Sequence, residues 1–221
     1  MKRYLQTIKY AQNFFLGLSI LIMITLPIII VFFPELLSEK TTLNLYNISH
    51  ITIFFVMIIR PLADIFSQTR LIRPLVILRK GVGVLSASVV VSFILAKIII
   101  DPISYFSSIA TAKYWSFENL AIFAHLADIS AILLIITSNN FSKRILGNWW
   151  KNIQRLSYVY FYASSIYVLF IFNDYILLLA MFIVTLLTML AYLKNQKRKN
   201  NLLTNTPVSI NNISSIKPRV N

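Results

Sequence analysis

Apolar positions along this 221-residue chain fall in long runs, neither the strict alternation of a half-buried strand nor the narrow stripe of a soluble helix. Six runs stand out: Phe14–Phe33, Asn44–Ile59 with a continuation to Phe66, Gly81–Ile100, Glu118–Ile136, Leu156–Phe172 and Tyr175–Leu193. Each is close to the roughly 20 residues that cross a bilayer. Hydrocarbon offers peptide groups no water to bond, so every run is predicted to be a helix. The expected fold class is therefore an all-α integral membrane protein, a six-transmembrane-helix bundle spanning residues 1–193, with a kink expected at Pro27. Lys2, Arg3 and Lys9 resemble the basic flank of a signal peptide, but the run behind them is too long and no A-x-A site follows. A retained helix is expected there.

The polar positions set the orientation. With the N-terminus placed inside, Lys2, Arg3, Lys9, Arg60, Arg70, Arg73, Arg79, Lys80, Lys143, Arg144, Lys151, Arg155, Lys194, Lys197, Arg198, Lys199, Lys217 and Arg219 fall on the inner side beside one acid, Asp64. The outer side holds Lys40, Lys97 and Lys113 with Glu35, Glu39, Asp101, Glu118 and Asp174. Such a cation bias predicts cytoplasmic N- and C-termini, which an even number of spans permits. Residues 194–221 turn polar and read as a basic, disordered cytoplasmic tail touching anionic lipid. In the segment Arg70–Lys80 the cations flank an apolar stretch, and the segment is expected to lie at the headgroup level.

Composition narrows the function. With 57% hydrophobic and 13% charged residues and a mean hydropathy of +0.73, the chain cannot be one water-soluble globule. The length leaves no room for a flavin or nicotinamide domain. The absence of cysteine excludes thiolate-held iron–sulfur clusters, thiolate haem ligation and disulfides. The net charge of +14 first suggests a nucleic-acid partner, but its one-sided placement records orientation, so no nucleic acid is expected. No phosphate loop, H-E-x-x-H, G-x-S-x-G or dinucleotide fingerprint is present, and no catalytic residue is assigned.

Several motifs occur in a recognisable order. Arg60-Pro61-Leu62 closes the second run, Arg79-Lys80-x-x-Gly83 opens the third, Thr137-Ser138 ends the fourth, and Leu146-Gly147-Asn148-Trp149-Trp150-Lys151-Asn152-Ile153 leads into the fifth. This order resembles the ferric-reductase-like transmembrane domain family. It is closest to the haem-binding membrane subunit type, MsrQ/YedZ, of the protein-methionine-sulfoxide reductase system. The resemblance implies a bacterial inner-membrane electron-transfer subunit that binds haem b and takes electrons from quinone or flavin. It also implies delivery of those electrons to a periplasmic reductase or to ferric iron. The alternative is a haem-free member of the fold with a structural or partner-binding role. The family places its ligand histidines where this chain has Phe93, Gln154 and Tyr167. Of these, only Tyr167 is a known type of haem ligand, as a phenolate.

The chain has two histidines, His50 and His125, inside the second and fourth runs. Counted inward from the outer ends, both lie about 10 Å deep, level with Phe93 and Tyr167. They are candidate relocated haem-iron ligands, one on each of two helices. The bland alternative has each histidine bonded to a neighbouring helix, with His50 near Asn44, Asn47 and Ser49 and His125 paired with Asp128. Asp128 is three residues after His125, on the same helical face, and is the candidate proton-handling group. Trp115, Trp149 and Trp150 are expected in the aromatic belt, and Lys97 is expected to snorkel outward. The aromatics of the fifth run, Tyr158, Tyr160, Phe161 and Tyr162, are expected to pack, and Gly81 and Gly83 to permit close helix approach.

Overall fold

A computed structural model describes residues 2–69, 71–117 and 120–204, and these are helical with no strand. Ten α-helices follow in order: α1 Lys2–Phe32, α2 Glu39–Ile65, α3 Ile72–Leu75, α4 Leu78–Ile100, α5 Pro102–Ala110, α6 Ala121–Thr137, α7 Asn140–Leu146, α8 Trp149–Gln154, α9 Leu156–Phe172 and α10 Tyr175–Thr204. Four segments are long and apolar enough to cross a membrane: α1, α2, the stretch Ile72–Ile100 containing α3 and α4, and α10. The helices α6 and α9 are apolar but have only 17 residues each, about 25 Å of rise.

Helix ends depart from apolar-run ends for local reasons. The helix α1 begins 12 residues before Phe14, because Gln6, Lys9 and Gln12 propagate a helix well and Ile8 joins its buried face. It runs unbroken through Pro27. Ser38 caps α2, its hydroxyl accepting from Thr41 N at 3.2 Å, with Glu39 in the first turn. Pro61 interrupts the backbone ladder of α2, and in the adjoining turn Arg79 donates from Nε to the Val56 carbonyl at 3.0 Å. The expected headgroup loop is thus mostly helical, formed by α3 and the start of α4, and the Tyr4 hydroxyl holds it by donating to the Leu71 carbonyl at 2.9 Å.

The core centres on α4, where more than half of the apolar stretch is buried, against a third or less in the other three long spans. It packs on α1, α2 and α6. Contact with α1 is close because Gly81 has no Cβ: one placed there would meet Gln12 O at 2.8 Å and Phe15 Cβ at 3.2 Å. Gly83 has no such role, since a Cβ there would sit 3.8 Å from Val56. Ser88 and Ser92 are buried on α4 and return their hydroxyls to the carbonyls of Leu85 and Ser88, so small polar residues cost little there. Met57, Ala87, Ala131, Phe161 and Val184 fill the space between α2, α4, α6, α9 and α10.

Three segments are helical beyond the six apolar runs. Asp101 caps α5 by accepting from Ser104 N at 2.9 Å, with Pro102 at the first helical position. Between α7 and α8, Gly147 adopts a φ of +49°, which a side chain would strain. Trp150 then donates to the Thr137 carbonyl at 3.0 Å and Gln154 to the Thr137 hydroxyl at 3.3 Å, fastening α8 under α6. Finally, α10 does not stop at Leu193. It continues through Lys197-Arg198-Lys199 to Thr204, so residues 194–204 of the expected disordered tail are helical. Lys, Arg and Gln propagate a helix already nucleated in the apolar stretch, and no breaker occurs before Pro207. Residues 205–221 and the expected outer acid Glu118 lie outside the described residues.

Candidate functional site

A cavity of about 660 Å³ opens between α2, α4, α6 and α9, at the end of the bundle bordered by α5. Its size falls in the range of small-molecule and cofactor sites, about 300–1,000 Å³. The cavity wall brings together His50, Phe93, His125, Asp128 and Tyr167, residues far apart in sequence but expected at one depth. Gln154 is elsewhere, at the end of α8 and bonded to Thr137.

His50 is the best-defined group. Its Nδ1 lies 2.9 Å from the Tyr46 carbonyl, one turn back on α2. A carbonyl only accepts, so Nδ1 carries the proton and Nε2 carries the lone pair. Nε2 is buried and makes no hydrogen bond, although the backbone carbonyl of Ser164 on α9 also acts on the ring. Of the neighbours expected for His50, Asn47 lines the same cavity, whereas Ser49 serves the core. Ser49 points about a quarter-turn away on α2, sharing hydrogen bonds with the hydroxyls of Tyr160 at 3.0 Å and Ser86 at 3.1 Å. Ser86 also donates to the Ser49 carbonyl at 2.8 Å. This buried trio ties α2, α4 and α9 together beneath the cavity.

His125 lies across the cavity on α6, edge-on to Trp115 with ring centroids 5.8 Å apart. Trp115 donates its indole N–H to the Ile109 carbonyl at 2.9 Å, so it braces α5 against α6. His125 and Asp128 share a helical face, yet no hydrogen bond or ion pair joins them; the charge that reaches both belongs to Lys97 on α4. Lys97 is exposed at the cavity rim, in keeping with a side chain that snorkels outward. Phe93 stacks on Tyr46, with centroids 4.8 Å apart and planes 15° from parallel, forming a flat aromatic wall.

The helix α5 and its N-cap Asp101 add Asp101, Ser104, Tyr105 and Ser108 to the lining, none of which the apolar runs indicated. The Asp101-Pro102 pair, an N-cap followed by proline, is the signal that could have revealed this helix. On α5, partial burial and then the charge of Asp128 push the Tyr105 phenol up from its ordinary value, so it remains a proton donor at neutral pH. One imidazole lone pair, one carboxyl group and several phenols thus face a space with an aromatic wall. Such a site can bind a flat ligand and exchange protons with its edge. Among the described residues, no group of three or more acidic, histidine or cysteine side chains is arranged to hold a bare metal ion. Compared with known proteins, the chain matches no family model, no curated protein and no solved structure.

Proposed function

We propose that this chain is a membrane electron-transfer subunit of the ferric-reductase-like type, a six-helix bundle in a bacterial inner membrane with both termini cytoplasmic. In this reading α6 and α9 complete the four longer spans, the cavity faces the periplasm, and haem b is its occupant. The observation that carries the reading is His50. Its ring is oriented by the Tyr46 carbonyl through Nδ1, and its buried Nε2, with the Ser164 carbonyl acting on the ring, makes no hydrogen bond of normal geometry. That is the usual arrangement of a metal-bound histidine.

In this reading the ligands would come from the two histidines, and of the family's three ligand positions only from Tyr167. His50 and His125 would hold the iron from α2 and α6, with Tyr167 the further oxygen donor on the wall. The stacked Tyr46 and Phe93 would lie against a ring face. Haem b, when bound, supplies one-electron chemistry. Around it, the protein's own groups govern protons and water. Asp128 exchanges a proton with the cavity, Lys97 offsets its charge at the rim, and α5 with Trp115 limits access from the aqueous side. Electrons from quinone or flavin would pass to a periplasmic reductase partner, since the chain displays no catalytic machinery of its own.

A second reading is supported by Phe93 and Gln154. Both family ligand positions are committed to packing and hydrogen bonding, as in a haem-free relative that serves as a structural or partner-binding membrane protein. Expression with haem supplied, mild purification and an absorption spectrum separate the two readings. A Soret band that is lost in His50→Ala and lost or shifted in His125→Ala is expected. A colourless, folded wild-type protein overturns the haem reading and leaves the second.

A further inference from the structure

At the opposite end of the bundle, beyond the cavity, a second cleft of about 410 Å³ opens where α2 ends against the helical extension of α10. Its lining is rich in donors: Ser67 and Gln68 after α2, and Lys194, Lys197 and Arg198 on α10. It includes one carboxylate, Asp64, which is already engaged by Arg60 at 3.7 Å and by the Asn195 amide at 3.3 Å. Lys194 donates to the Ile65 carbonyl, which clamps α10 to the end of α2 and holds the next turn, with Lys197 and Arg198, over the cleft. Exposed Leu190 and Leu193 stand one turn earlier on α10, and exposed Phe66 adjoins Ser67 at the end of α2.

We infer that this cleft is a headgroup site for one anionic phospholipid. The chemistry recognised is a phosphate oxygen cluster, met by two cations and neutral donors. The adjoining apolar surface favours a lipid over free phosphate, because acyl chains descending from the headgroup would cover Phe66, Leu190 and Leu193. Nothing in this site depends on the occupant of the histidine cavity.

The test uses the full chain in detergent, titrated with phosphatidylglycerol or phosphatidylcholine at fixed ionic strength and read by native mass spectrometry. A parallel arm adds inorganic phosphate. One phosphatidylglycerol is expected to be retained per chain. The Lys197→Gln/Arg198→Gln variant should weaken retention about 25-fold, taking about fivefold for each surface cation. Lys2→Gln/Lys9→Gln, which removes equal charge from α1, should leave it unchanged. Asp64→Asn should tighten it, because a carboxylate repels the phosphate. The inference is overturned if the α1 variant weakens retention equally, if Asp64→Asn weakens it as the cation variants do, or if millimolar phosphate displaces the lipid.

Discussion

The Tyr160 hydroxyl reaches two serines on two other helices, and all three side chains are buried. Removing it leaves Ser49 and Ser86 with each other and with backbone carbonyls, so only part of the network is lost. Tyr160→Phe is expected to cost about 1 kcal/mol. Tyr160→Ala, which also empties the ring's space, should cost about 3–5 kcal/mol. Thermal unfolding in detergent measures both, and equal effects of the two variants would refute the separation of hydroxyl from ring. Residue type and depth of the site were legible from the chain: the two histidines, Asp128, Phe93 and Tyr167 do share one cavity. Partners were not. Ser49 adjoins His50 in sequence, but consecutive residues point about 100° apart on a helix, so Ser49 serves the core while His50 faces the cavity. His125 and Asp128 face the same cavity, and Lys97 on α4 joins them at its rim.

At the scale of elements, the contact of α1 with α4 depends on one missing methyl group. Gly81→Ala would drive a Cβ into the Gln12 backbone, which cannot swing aside as a flexible side chain can. A loss of about 1–3 kcal/mol is expected, seen as a lowered unfolding midpoint. Gly17 on the same α1 faces open space, so Gly17→Ala should be neutral or stabilising by up to about 1 kcal/mol. A drop from Gly17→Ala as large as that from Gly81→Ala would contradict this account. Hydropathy located the six principal helices, because apolar runs and helices coincide within lipid-like surroundings; Leu156–Phe172 agrees at both ends. It missed α5, α7 and α8, whose formation depends on caps and on Gly147 rather than on apolar length. It also ended α10 too early, since a helix can outlast the apolar stretch that nucleates it.

For the molecule as a whole, the charge distribution predicts sidedness. The chain has no cysteine, so single introduced thiols report without background. In intact cells, an impermeant maleimide should label Glu39→Cys, at the start of α2, and leave Lys9→Cys and Lys197→Cys unlabelled until the membrane is opened. Labelling of Lys197→Cys from outside would exclude cytoplasmic placement of the end of α10. The unequal lengths of the helices have a separate mechanical consequence. With 17 residues each, α6 and α9 rise about 25 Å, some 5 Å short of a typical hydrocarbon layer of about 30 Å, while α1 has 31 residues. A bilayer meets a short helix by thinning, and it meets a long one by letting it tilt. In the proposed six-span arrangement the sheet of lipid would be dimpled on the α6–α9 flank, which forms part of the wall of the histidine cavity. Water and headgroups would stand closer to that cavity than to any other part of the core.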